Sequence, residues 1–285
     1  MKTDKGMSRL ARGLVGVAIG AGMVNTAIGA SITSTKHNLS STGTGTVHTT
    51  AGTTEICVFC HTPHASDVSA AAPLWNKRVA TGATYTTYAS NTMNANTATD
   101  GVAGSTAIGS VSLACLSCHD GTQAMDNMLN APGSGGYDVT GGGTTGLAYT
   151  WNAGAQASGQ MIATNLATLG ADLRNDHPIG IQYCGGGVGN QVPAGTCNDG
   201  DFVLPISASI GGTNVWWVET GGNTTRAKTD MILFNRQFLV NPSGGAAGNY
   251  PSVECASCHD PHTTNATFLR IANTGSAVCL ACHNK

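Results

Sequence analysis

The pentapeptide Cys57-Val58-Phe59-Cys60-His61 recurs as Cys115–His119, Cys255–His259 and Cys279–His283. No other feature constrains the chain as strongly. Cys-x-x-Cys-His is the attachment pattern of a c-type haem. On one helical turn, positions i, i+3 and i+4 share a face. Two thiols can then bond the haem vinyl groups while the histidine reaches the iron. One occurrence could be an accident; four, each with histidine directly after the second cysteine, predict four covalently attached haems c. The competing use of Cys-x-x-Cys, a structural zinc site, accounts for neither the repeated histidine nor the export signal described below.

Composition supports a chain built around such groups. Charged residues make up 10% and aromatics 5%, with 39 glycines among 285 residues. Both core-forming and solubilising side chains are scarce, so the polypeptide has little apolar area to set against its conformational entropy. Flat apolar cofactors would supply the missing core. The expected fold is irregular and haem-dictated: mostly loops, short helices at the motifs, and a small antiparallel β element in the central segment.

Residues 1–30 read as a signal peptide. Lys2, Lys5, Arg9 and Arg12 precede the apolar stretch Leu14–Val24, and a small-residue site follows near Ala27–Ala30. The apolar run is about half of what spans a bilayer, so cleavage is expected rather than a permanent membrane anchor. Removing those four basic residues and Asp4 from the 13 basic and 15 acidic residues leaves 9 and 14, a net charge of −5. Haem propionates would add to it, which argues against nucleic acid as a partner. The exported chain then divides into an N-terminal dihaem region (31–130), a haem-free central segment (131–250) and a C-terminal dihaem region (251–285).

Of ten cysteines, eight lie in the motifs, leaving Cys184 and Cys197. In an exported chain the simplest reading is a disulfide, stabilising by about 3 kcal/mol in the chain-entropy model. A redox-active or metal-binding pair is the alternative. In the central segment, Leu166–Leu173 reads as a short helix. The runs Phe202–Ile210, Asn214–Val218 and Met231–Val240 read as strands, with Trp216 and Trp217 on opposite faces. Trp75, Tyr85 and Tyr88 are candidates for packing on haem.

Four irons with two axial histidines each need eight, and the chain has nine. His61, His119, His259 and His283 form the proximal set; His37, His48, His64, His177 and His262 supply the distal set with one to spare. Pro63 turns His64 away from the haem its own motif holds, and Asp260-Pro261-His262 repeats that arrangement. Solvated loop histidines are the alternative for His37, His48 and His177. Ligation by Met93, Met125, Met128, Met161 or Met231 would raise the potential and leave histidines idle. Full bis-histidine ligation leaves no open iron position for a substrate, so no enzyme activity is expected.

Lys36-His37-Asn38, Cys57–His64, Cys115–Gly121, Leu173–Ile179 and Cys255–His262 resemble the doubled-CXXCH multihaem cytochromes c. Four motifs around a long central segment are similar to the OmcE-like extracellular tetrahaem cytochromes, which polymerise into filaments. The resemblance implies bis-histidine haems stacked in series and His37, His64, His177 and His262 as distal ligands. It also implies a homopolymer in which one haem takes a histidine, His37 or His48, from the adjacent subunit. The function expected is electron transfer outside the cell or at its surface, with other redox proteins or extracellular acceptors as partners. A monomeric periplasmic shuttle and an oxyanion reductase are the competing readings.

Overall fold

The computed structural model describes residues 32–79, 84–93, 108–133, 136–138, 147–186, 195–238 and 248–284. The expected signal peptide lies outside the described residues. Among them, no helix is long and apolar enough to cross a membrane.

Regular elements are short, as expected where neither apolar period persists. Strands β1 (Thr49–Ala51) and β2 (Thr86–Thr87) precede helix α1 (Ser110–His119). After it come β3 (Thr150–Trp151), β4 (Gln156–Ala157), β5 (Gln160–Met161) and β6 (Asp172–Leu173). Next are β7 (Ile181–Gln182), β8 (Ile206–Ile210), β9 (Thr213–Val218), β10 (Met231–Phe238) and β11 (Gly248–Val253). Helices α2 (Cys255–Cys258) and α3 (Ala277–Cys282) end the chain.

The last five strands form one sheet in the order β7-β11-β10-β9-β8, every pair antiparallel. Gly211 and Gly212, both at positive φ, make the two-residue turn between β8 and β9. That backbone matches the right-handed twist of a hairpin and favours glycine at both positions. On β10, Met231, Leu233, Arg236 and Phe238 are buried. On β9, Trp217 is buried and Trp216 half-buried. The smaller pairs tie distant segments together: β1 pairs with β3, and β2 lies parallel to β6.

Two expectations need correction. The stretch Leu166–Leu173 is not a helix: it is a series of turns ending in β6. Leu166 and Leu169 are exposed, so no apolar stripe is buried there. The backbone groups are used elsewhere, Ala167 O by the His119 ring and the Leu169 N–H by His119 O. The strand read from Phe202 begins only at Ile206, because Phe202 bridges to His283 and the Val203 N–H bonds Cys282 O at 2.9 Å. At the end of β10, Leu239 and Val240 lie outside the described residues.

Buried apolar side chains fall into three clusters, each with a motif cysteine at its edge. Trp75, Leu113, Leu116 and Leu173 belong to the first, packed against Cys60. Tyr183, Val218, Met231 and Val253 belong to the second, against Cys258 and Cys282. Val47, Met125 and Met161 form the third, against Cys118.

Candidate haem-binding sites

Each motif is one tight turn. In the first, third and fourth, the histidine N–H bonds the carbonyl of the motif's first cysteine: His61 to Cys57 at 2.8 Å, His259 to Cys255 at 3.1 Å, His283 to Cys279 at 3.0 Å. The second motif forms the last turns of α1. His259 and His283 themselves are extended, so the chain leaves the turn at the ligand. The eight motif cysteines are free, and Cys184 and Cys197 are joined as a disulfide.

The histidine rings are prepared as ligands. His61 Nδ1 is 2.7 Å from Pro73 O, His119 Nδ1 2.8 Å from Ala167 O, and His259 Nδ1 2.9 Å from Thr267 O. His48 Nδ1 meets Gly45 O at 2.8 Å and His177 Nδ1 meets Pro178 O at 3.1 Å. A carbonyl accepts only from N–H, so Nδ1 carries the proton and Nε2 keeps its lone pair for a metal. Burial, then the neighbouring His119, push the His37 ring down to about 4, against a hydrogen bond to the Pro261 carbonyl. Burial also lowers His119 and His177. These rings are neutral at pH 7, the form that binds metal.

Two pairs of imidazoles oppose each other. His61 and His262 have ring centroids 6.0 Å apart, and His37 and His119 are 6.2 Å apart. A metal sits about 2.1 Å from an imidazole nitrogen, so two rings holding one iron from opposite sides have centroids about 6 Å apart. His177 lies within electrostatic range of His283. His259 likewise lies within electrostatic range of His37 and His119, and among the described residues no imidazole ring contact joins His259, His48 or His64 to another histidine. No group of three or more His, Cys, Asp or Glu side chains there converges as a metal cage; the histidines come in twos.

The motifs also meet in sequence order. Cys60 and Cys118 interact electrostatically, Cys115 shares a hydrogen bond with Cys255, and Cys258 is close to Cys279 and Cys282. Burial first, then neighbouring thiols, push Cys60 up to about 12; Cys282 is likewise raised to about 12 by burial. A thiolate zinc site wants the opposite shift. Exposed leucines ring the motifs: Leu74 beside Pro73, Leu166 and Leu169 about Ala167, Leu204 after Val203, and Leu280 inside the fourth motif. Together with the opposed imidazoles, these surfaces fit a flat apolar iron-bearing group at each motif. Trp75 is buried against His61, whereas Tyr85 hydrogen-bonds Asp120 at 2.7 Å. Met125, Met128, Met161 and Met231 are buried, three of them in the apolar clusters.

One functional group was not singled out from the sequence. Glu254, 1% exposed, accepts the Gly109 N–H at 3.0 Å, the Ser112 hydroxyl at 2.5 Å and an Arg236 N–H at 2.7 Å. Gly109 is the N-cap of α1 and Glu254 that of α2, where Ser257 completes a capping box. Ser112 also accepts the Cys255 N–H at 2.9 Å. One carboxylate thus caps both helices that carry Cys115 and Cys255. The sequence signal was present as Glu254-x-x-Ser257, which begins one residue before the third motif and ends inside it.

Turns carrying paired thiols, with histidine rings paired about 6 Å apart, fit a c-type haem protein with several sites. Residues 249–285 match the family model for the doubled CXXCH motif. That match supports a multihaem c-type cytochrome and suggests electron transfer. No curated protein matches the chain.

Proposed function

We propose that the exported chain is a tetrahaem c-type cytochrome that carries electrons through closely placed, low-potential bis-histidine haems and polymerises into an extracellular conductive filament. Haem c, when bound, supplies a one-electron ferric/ferrous couple. The observation that carries the reading is the opposition of His61 to His262 and of His37 to His119, with the motifs in contact in series. His177 serves as the partner of His283.

The polymer reading rests on His259: its imidazole neighbours, His37 and His119, are taken in this reading as a pair with each other, which leaves its second ligand to another histidine. His37, a candidate for crossing between subunits, is committed to His119. His48 and His64 remain, and His48 is the better prepared, with Nδ1 already engaged by Gly45 O. It crosses to His259 of the next copy in this reading.

Purified native protein tests both levels. Four covalent haems with low-spin spectra support the cytochrome; fewer haems or a resting high-spin iron overturn the tetrahaem bis-histidine assignment. Electron microscopy of secreted material decides the assembly. Filaments support it, and monodisperse particles in a soluble periplasmic pool give the shuttle reading instead.

A further inference from the structure

Between the first two motifs lies a charge with no ion-pair partner. Lys77 is fully buried. Its Nζ donates to the carbonyl oxygens of Ala124 at 3.0 Å, Met125 at 3.1 Å and Asn127 at 2.6 Å. Among the described residues no carboxylate forms an ion pair with it. Taking an ammonium out of water costs several kcal/mol unless something replaces the lost hydration. Three carbonyl dipoles converging on one point do so, and they use all three N–H groups.

The position is set from both sides. The Asn76 N–H bonds Cys60 O at 2.9 Å, and Asn76 Nδ2 bonds Val58 O at 2.7 Å, so the residue before Lys77 is pinned to the first motif. The three acceptors lie just beyond His119, in the loop leaving the second motif. The ammonium is in electrostatic range of the Cys60 and Cys118 sulfurs and of Asp126. Asp126 is buried, with Oδ2 accepting the Tyr149 N–H at 3.0 Å and Oδ1 without a partner. At the junction of the second and third motifs the buried cation differs: Arg236 is paired with Glu254 at 2.7 Å, so its field is largely cancelled.

We infer that Lys77 is a potential-setting residue: its fixed positive charge makes the iron sites of the first two motifs easier to reduce than they would be without it. Each reduction adds one electron and lowers the site's charge by one, and a nearby buried cation, opposed only in part by Asp126, favours that change. The inference rests on the haem-binding reading above.

The test is an optical redox titration of haem-loaded protein for Lys77→Gln, Lys77→Arg and Asp126→Asn, with covalent haem content measured on each sample. Lys77→Gln is expected to move part of the titration downwards and leave the rest in place. Lys77→Arg, which keeps the charge, should restore the wild-type curve. Asp126→Asn should move the same part upwards, a sign that loosened packing would not produce. A wild-type curve for fully loaded Lys77→Gln overturns the inference. If that variant does not retain its haem, Asp126→Asn decides alone, and an unchanged or downward shift overturns it. Failure of the haem reading itself shows separately, as wild-type protein without covalent haem.

Discussion

A ligating histidine is better held when its other nitrogen is already engaged, and in that respect the nine are not equivalent. His48 has the Nδ1–carbonyl bond seen for His61, His119 and His259. His64 sits exposed after Pro63, and its backbone carbonyl, bonded by Thr62 and Asn130, is the part that holds it. His48→Ala is therefore expected to turn one low-spin site in four high-spin and open to carbon monoxide, and to abolish filaments. His64→Ala should change neither; optical spectra and electron microscopy read both. A second residue-scale prediction concerns Asp67, which accepts hydrogen bonds from the Ser69 N–H and hydroxyl and from the Val79 N–H. Burial alone would raise its carboxyl, but those bonds hold it below the ordinary 3.8. The folded state thus favours the ionised form. Its contribution is present above the unfolded value near 3.8 and is lost as pH falls through the lower folded value. Asp67→Asn should cost about 1–3 kcal/mol at neutral pH. Melting temperatures measured from pH 5 to 2 should fall less steeply for the variant than for wild type.

At the scale of elements, the sheet and the motif helices are joined through one carboxylate. Arg236 on β10 reaches Glu254, and Glu254 holds the N-termini of α1 and α2. Glu254→Gln keeps the shape but removes the buried carboxylate charge that pairs with Arg236 and accepts from Gly109 and Ser112, a loss of about 3–5 kcal/mol. A Cβ at Gly109 would collide with the Arg236 guanidinium and the Glu254 carboxylate, so Gly109→Ala should destabilise in the same way. Thermal unfolding measures both, and Soret circular dichroism should show weakened coupling between the second and third haems; unchanged coupling in either variant rules out this linkage. Much of this scale was legible in the sequence. The four motif turns followed from spacing, and β8–β10 from β-branched and aromatic runs broken by Gly211-Gly212. The helix read at Leu166–Leu173 failed because backbone groups of Ala167 and Leu169 bond His119, 48 and 50 residues earlier in the chain. Periodicity within a window cannot register a partner outside it. The Glu254 network escaped for the same reason, since Gly109 and Arg236 lie far from it in sequence. The distal pairings also needed three dimensions: nine histidines can be counted, but only proximity joins His262 to His61.

For the whole molecule, the question is what holds three small clusters together. The buried apolar residues divide among Trp75 and Leu116, Tyr183 and Met231, and Val47 and Met125, with a motif cysteine at the edge of each group. Leu74, Leu166, Leu204 and Leu280 are exposed beside the motifs, although burying such a side chain is worth about 1.5–3 kcal/mol. With 10% charged residues, the chain also has few ion pairs to compensate. The missing apolar contacts are those a flat group at each motif would make, so attachment and folding should be one event. Chain produced without cytochrome c maturation is expected to lack a cooperative melt and to be cut rapidly by protease. Loaded chain should resist cleavage and melt cooperatively. The Cys184–Cys197 disulfide lies within the second cluster, so the unloaded chain should keep at most local order there. Limited proteolysis of both forms checks this: a protease-resistant, cooperatively melting unloaded chain would mean that the polypeptide supplies its own core and the haems only occupy it.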